Sequence, residues 1–207
     1  ATDYFGHAVA LSGDTALVSA LRDDDRGWDS GSVYVLVRSG TTWSLQQKLT
    51  ASDGGSYDYF GTAVALSGDT ALIGAYGDDD NGTNSGSAYV FVRSGTTWAL
   101  QQKLTASDGG VDDLFGYSVA IAGQTALVGA FGDDDKGSSS GSAYVFVRSG
   151  SSWSQQQKLT SSDGASGDAF GWAVAISGDF ALIGAYGDDD RGSYSGSAYV
   201  FLRTGSS

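Results

Sequence analysis

The chain has 207 residues, 41% hydrophobic and 12% aromatic, long and apolar enough to bury a core and to exclude a disordered polymer. Its 24 acidic residues are all aspartates and face only 11 lysines and arginines, a formal net charge of -13 that argues against nucleic acid as a partner. Cysteine, methionine and proline are absent, which excludes a disulfide framework, a thiolate metal site and a thiol nucleophile, and no apolar run reaches the roughly 20 residues that span a bilayer. Starting at Ala1 and without a leader, the sequence reads as a processed product or an excised segment, with no sign of how it was targeted.

In chain order, the first landmark is Phe5-Gly6. It returns as Phe60-Gly61, Phe115-Gly116 and Phe170-Gly171, 55 positions apart each time. The same step carries Asp23-Asp24-Asp25 to Asp78-Asp79-Asp80, Asp133-Asp134-Asp135 and Asp188-Asp189-Asp190, and Tyr34 to Tyr89, Tyr144 and Tyr199. The expectation is a single repeat domain over 1–207 with units at 1–52, 53–107, 108–162 and 163–207. The second unit shows the elements best. Thr62 to Leu66 and Thr70 to Ala75 are short β-branched and small-residue runs split by Ser67-Gly68-Asp69, a tight hairpin. After the Asp loop, Ser87 to Arg93 alternates as a strand does, and Ser94-Gly95-Thr96 turns it into Thr97 to Leu104.

Each unit therefore reads as a four-stranded antiparallel meander, and 32 glycines leave no apolar stripe of helical period. The class is all-β. Small residues (Ala63, Ala65, Gly74, Ala75) gather in the first two strands and large ones (Tyr89, Phe91, Trp98) in the last two, the grading of a wedge that crowds an axis, so the fold expected is a β-propeller. A stacked β-solenoid is the competing architecture, but a 55-residue coil is long for one. The fourth unit reaches Ser207 before its Trp strand would begin, so the last blade is expected without its outer strand. Either the array is longer, or that strand comes from elsewhere, for instance from another copy in a head-to-tail ring or filament or a two-fold dimer of four-blade halves.

Phe60-Gly61, the Leu72 to Ala75 strand and the Gly86 to Phe91 strand resemble the FG-GAP repeat, and the resemblance covers essentially the whole chain. With the strand of Trp43 and Gln46 to Thr50, repeated from Trp98 and Trp153, the chain looks like the bacterial and extracellular branch of that family rather than the integrin α subunits. The resemblance implies a propeller, commonly of seven blades, found at cell surfaces and in secreted proteins, where it mediates adhesion or carries other domains. In many relatives the first hairpin is a long calcium loop. Here it is clipped to Ser12-Gly13-Asp14, Ser67-Gly68-Asp69, Ala122-Gly123-Gln124 and Ser177-Gly178-Asp179, so that calcium site does not carry over.

Candidate metal ligands are the four triplets themselves, residues Asp23, Asp24, Asp25, Asp78, Asp79, Asp80, Asp133, Asp134, Asp135, Asp188, Asp189 and Asp190, whose hard oxygens suit Ca2+. The spacing is not that of an EF-hand, and turn-forming, solvated carboxylates are the alternative. Asp3, Asp58, Asp113 and Asp168, two residues before each Phe-Gly, are read as acceptors for turn amides. The cations Arg38, Arg93, Arg148 and Arg203, with Lys48, Lys103 and Lys158, are read as partners for the Asp excess. Asn81-Gly82-Thr83 fits the pattern for N-glycosylation.

The loop-tip positions that vary between units point to ligand binding: Trp28, Tyr76, Tyr117, Phe131, Trp172 and Tyr186 are aromatic platforms for sugar rings or flat apolar groups. For Tyr76, Phe131 and Tyr186 the alternative is packing between blades. His7 is the only histidine, and its counterparts Thr62, Tyr117 and Trp172 cannot serve as general bases, so no catalytic constellation recurs. The reading is a non-enzymatic extracellular or cell-surface binding and adhesion propeller with a glycan or protein ligand. The alternative is a structural repeat protein that self-associates head to tail through its incomplete fourth blade, with a carboxylate-dependent hydrolase third.

Overall fold

A computed structural model describes residues 2–205; Ala1, Ser206 and Ser207, the outermost positions of the first and fourth units, lie outside the described residues. The first sheet contains β1 (Phe5–Ser12), β2 (Thr15–Ala20), β3 (Ser32–Ser39) and β4 (Thr42–Leu49). The second contains β5 (Val64–Ser67), β6 (Thr70–Ala75), β7 (Ser87–Ser94) and β8 (Thr97–Leu104). The third contains β9 (Ser118–Ala122), β10 (Thr125–Ala130), β11 (Ser142–Ser149) and β12 (Ser152–Leu159), and the fourth β13 (Phe170–Ser177), β14 (Phe180–Ala185) and β15 (Ser197–Leu202). Every sheet is an antiparallel meander in chain order, and no helix occurs among the described residues. The expectation of all-β, four-stranded propeller blades with a three-stranded last unit holds. The second unit's inner strand begins at Val64 rather than Thr62, and the Thr62 amide turns back to the Tyr59 carbonyl at 3.0 Å.

The inner strands β1, β5, β9 and β13 pack side by side in that order, while β4, β8 and β12 lie on the rim. The core lies between sheets rather than inside any one of them. Leu17, Val33 and Val35 of the first sheet meet Ala71, Ile73, Tyr89, Phe91 and Trp98 of the second, and equivalent layers fill the next two junctions. Phe60, Phe115 and Phe170, the Phe of each Phe-Gly, are fully buried there and stand edge-on to Tyr89, Tyr144 and Tyr199 at 5.4 Å. The outward faces of the two end sheets lack such cover: Phe5, Val9 and Leu11 at one end and Leu182 and Val200 at the other are exposed, whereas Leu17 and Leu72, which correspond to Leu182, are 0% exposed.

Main chain also stitches the junctions. The Phe60 amide donates to Ser30, the Tyr59 amide to Asp29 and the Tyr57 amide to Trp28 at 2.9, 3.2 and 2.7 Å, and the same ladder recurs from Phe115 to Ser85 and from Phe170 to Ser140 at 3.0 Å. Gly31, Gly86 and Gly141 follow those serines with φ of +81°, +82° and +81°, and a Cβ on any of them would run into the carbonyl of the next unit's Phe. Glycine is required there by both the left-handed backbone and the close approach.

Candidate ligand-binding face

The three aspartates of a triplet take different tasks. The first, Asp78 or Asp133, is buried and accepts from a serine hydroxyl (Ser87 at 3.0 Å, Ser142 at 2.9 Å) and from the amide of the third aspartate at 3.2 Å. The middle one, Asp79 or Asp134, accepts the amide five residues on (Asn84, Ser139) at 2.7 Å and so closes the loop on itself. The third, Asp80 or Asp135, turns outward to a lysine. The carboxylates that come together are therefore the first and third of a triplet, without the middle one.

Asp78 and Asp80 are joined by Asp53 from the segment between units, and Asp133 and Asp135 by Asp108. These two groups have carboxylate oxygens close enough to hold a metal ion. In each, a lysine ammonium stands among them: Lys103 Nζ lies 2.8, 2.8 and 2.6 Å from Asp53, Asp78 and Asp80, and Lys158 Nζ 2.8, 2.7 and 2.6 Å from Asp108, Asp133 and Asp135. In the first unit Lys48 bonds Asp23 and Asp25 at 2.7 and 2.6 Å. The Tyr89 hydroxyl lies 2.8 Å from Asp78 and 2.9 Å from Asp53, one proton between two carboxylates, and Tyr144 repeats this with Asp133 and Asp108. Burial alone would lower the lysines, but the carboxylate hydrogen bonds outweigh it and hold Lys48, Lys103 and Lys158 above the ordinary range. Burial would likewise raise Asp53 and Asp108; the lysine and tyrosine bonds win and hold both low. The fourth unit keeps Asp163, Asp188, Asp190 and Tyr199, with Tyr199 at 2.8 Å from both Asp163 and Asp188, but among the described residues no ammonium joins them. There the charges of Asp188 and Asp163 push Asp190 up.

Asp58, Asp113 and Asp168 accept the Gly55, Gly110 and Ala165 amides at 2.6, 2.7 and 2.7 Å, the turn role read from their spacing. Burial raises Asp58 and Asp113, only partly offset by those amides. On the opposite hairpins Arg38, Arg93 and Arg203 pair with Asp14, Asp69 and Asp179, whereas Arg148, facing Gln124, turns to the Gly150 carbonyl at 2.9 Å.

The variable aromatics converge on the side of the Phe-Gly turns. Tyr76 stacks on Tyr59 with centroids 5.0 Å apart and 11° between planes, and reaches Tyr117 at 5.7 Å. Tyr117 touches Phe131 and Trp172 at 4.6 and 4.7 Å, Phe131 touches Trp172 at 4.7 Å, and Trp172 touches Tyr186 at 4.4 Å, with Tyr194 beyond at 6.3 Å. One unbroken aromatic belt thus crosses three units. Tyr76 and Phe131 bridge adjacent units, as the packing alternative supposed, and belong to the belt as well. The inner rings are half-buried, while Tyr186 and Tyr194 are 49% and 71% exposed, and Trp172 and Tyr186 line an open depression with Gly184 and Ala198. Trp28, 72% exposed, stands apart, and no described ring pair includes it. Tyr59 and Tyr194 join the belt beyond the six loop-tip positions read from sequence; each stands at a position that varies between units, with Tyr4, Leu114 and Ala169 as the counterparts of Tyr59 and Asp29, Asn84 and Ser139 as those of Tyr194.

Sheets packed face to face around inner strands define a propeller-type repeat protein. The FG-GAP repeat pattern matches residues 1–36, 43–91, 98–146 and 153–201, and the chain belongs to that family. The last three matched segments run from an outer strand through the next three strands, so the sequence repeat is out of phase with the sheets. No curated protein matches the sequence. Among solved structures the chain is similar to a protein named as a 6-phosphogluconolactonase from Bacteroides uniformis, with TM-score 0.65 and 13% identity over 97% of this chain. The chain spans 54%, about half, of that protein's length, and the likeness is one of fold.

Proposed function

We propose that this chain is a non-enzymatic, extracellular or cell-surface binding module whose aromatic belt takes a glycan or protein ligand. The belt carries the reading: seven rings from three units meet on one face, at positions the otherwise near-identical units vary, and its exposed end offers flat apolar area beside polar loops. A net charge of -13 selects for neutral or cationic ligands. Within the lysine-centred groups, Asp53 and Asp108 are engaged by lysine and held low, opposite to what a general acid needs. The lysines serve the loops of the first three units as their cations, so Ca2+ at Asp78 or Asp133 would have to displace an ammonium. The test of the main reading is an oligosaccharide array probed with the protein and with Trp172→Ala and Tyr186→Ala. Retention of a saccharide by the protein and its loss in both variants supports a glycan ligand. Equal retention by all three overturns the belt as the site.

A second reading is favoured by the two exposed end faces. Phe5, Val9 and Leu11 correspond to residues that cover, and Leu182 and Val200 to residues that are covered, at every internal junction, so copies can join head to tail. Sedimentation at several concentrations tests it; a monomer throughout overturns it.

A further inference from the structure

Two internal junctions hold the outer-strand tryptophan in the same receptor. Gln47 grips Trp98 by its main chain, Nε2 donating to the carbonyl at 2.9 Å and Oε1 accepting the amide at 2.8 Å, while Gln46 Oε1 accepts the indole N–H at 3.0 Å. Gln102 and Gln101 treat Trp153 alike, at 2.8, 2.7 and 3.0 Å. Consecutive glutamines on a strand normally point to opposite faces. Here a β-bulge between Val35 and Leu36, repeated between Val90 and Phe91, swings both toward the next unit. The Arg93 guanidinium covers the Trp98 ring at 5.4 Å.

At the third junction the same parts are present around an open groove. The bulge between Val145 and Phe146 presents Gln156 and Gln157, and Arg203 stands across from them, its Nη1 donating to Thr125 at 3.3 Å. Between them lies a groove of about 660 Å³ lined by Val145, Leu159, Ile176, Ala181 and Phe201. Beside it β15 pairs with β14 on one side and with no described strand on the other. At the far end of β15 stand Asp163, Asp188 and Asp190, the counterparts of the residues that surround Lys103 and Lys158, with Tyr199 shared between the first two.

We propose that this groove and edge accept an extended strand of the pattern Trp-x-x-Gln-Gln-Lys-Leu from outside residues 1–207, running antiparallel to β15, with its tryptophan main chain gripped by Gln157, its indole ring covered by Arg203 and its lysine among Asp163, Asp188 and Asp190. The register follows from β7 and β8, where Trp98 lies opposite Arg93 and Lys103 opposite Tyr89; on β15 these become Arg203 and Tyr199. Main-chain pairing supplies affinity, and two pockets a strand's length apart, one for an indole and one for a cation, supply specificity. A second copy docked by its first unit would cover Leu182 and Val200, on the sheet face, and would bring no lysine to this cluster. The strand reading does not depend on the belt or on head-to-tail assembly.

The test is fluorescence anisotropy of a labelled peptide with the sequence of residues 97–110, titrated with the 207-residue protein. Saturable one-to-one binding is expected, weakened about tenfold when the peptide carries Lys103→Met and more when it carries Trp98→Ala. On the protein, Gln157→Ala is expected to weaken binding at one end of the groove and Asp190→Asn at the other, so a folding defect in one variant leaves the second to decide. No saturation, or equal affinity for a scrambled peptide, overturns the proposal. So does self-association that expels the peptide, which would make a second copy the occupant.

Discussion

The Asp loops of the second and fourth units carry the same aspartates and the same tyrosine, yet they balance their charge differently. In the second unit Lys103 sits within 2.8 Å of three carboxylates; in the fourth Asp163, Asp188 and Asp190 face one another with only the Tyr199 hydroxyl between two of them. The difference teaches that the triplet is half of a device. Its other half arrives on the outer strand and from the segment between units, so a loop that reads as a cation site in isolation becomes an ion-paired joint once its strand is in place.

The largest expected effect comes from removing the ammonium. Lys103→Met leaves three carboxylates unpaired, Asp78 among them buried, and is expected to cost about 3 kcal/mol in urea unfolding. In that variant added Ca2+ should raise the midpoint by more than in the parent, where only the fourth unit's aspartates have no ammonium among the described residues. Asp190→Asn in the fourth unit, where the carboxylate is already repelled, is expected to leave stability unchanged or slightly higher. Next in size, Tyr89→Phe strips the shared proton from Asp78 and Asp53 and is expected to cost about 1–2 kcal/mol, with Tyr199→Phe costing less.

Titration reads the same contrast. Lys103 and Lys158 are raised on folding, so their stabilisation is fully present below the ordinary lysine value of about 10.4 and is lost as pH rises through the higher folded value. Asp53 and Asp108 are lowered, so their contribution is present above about 3.9 and is lost as pH falls through the folded value. Asp58 and Asp113, raised by burial, act in the opposite sense and gain stability as pH falls through their folded values. Midpoints across acid and alkaline pH should therefore fall at both extremes, and Lys103→Met should flatten the alkaline limb. The smallest effect is expected on the opposite hairpins: Gln124→Asp gives Arg148 the partner that Arg38, Arg93 and Arg203 have, for a gain of ~0.3 kcal/mol by thermal unfolding.

The fold was readable because a strict 55-residue period multiplies every local signal by four, and the alternation of Ser87 to Arg93 or the Ser67-Gly68-Asp69 turn needs no distant information. The cation pairing of Lys48, Lys103 and Lys158 was readable from composition alone, as partners for an acidic excess. The carboxylates that surround each lysine were not. Asp53 lies 25 residues before Asp78 and 50 before Lys103, and only the antiparallel return of β7 and β8 brings the three together. Asp53, Asp108 and Asp163 do recur in a constant Ser-Asp-Gly context, and that recurrence was the available signal. In the belt, variation between units located Tyr117 and Trp172. The same criterion selected Trp28, whose main chain, rather than its ring, makes the junction contact with Tyr57.

Gly31, Gly86 and Gly141 set each unit's backbone directly against the next, with hydrogen bonds from Phe60, Phe115 and Phe170 fixing the distance. The closest approach of one unit to the next is then set by peptide geometry at this point, beside the side-chain layers that fill the junction. Loop tips can drift without altering that contact, so units that differ in what they present outward still meet their neighbours through the same backbone joint.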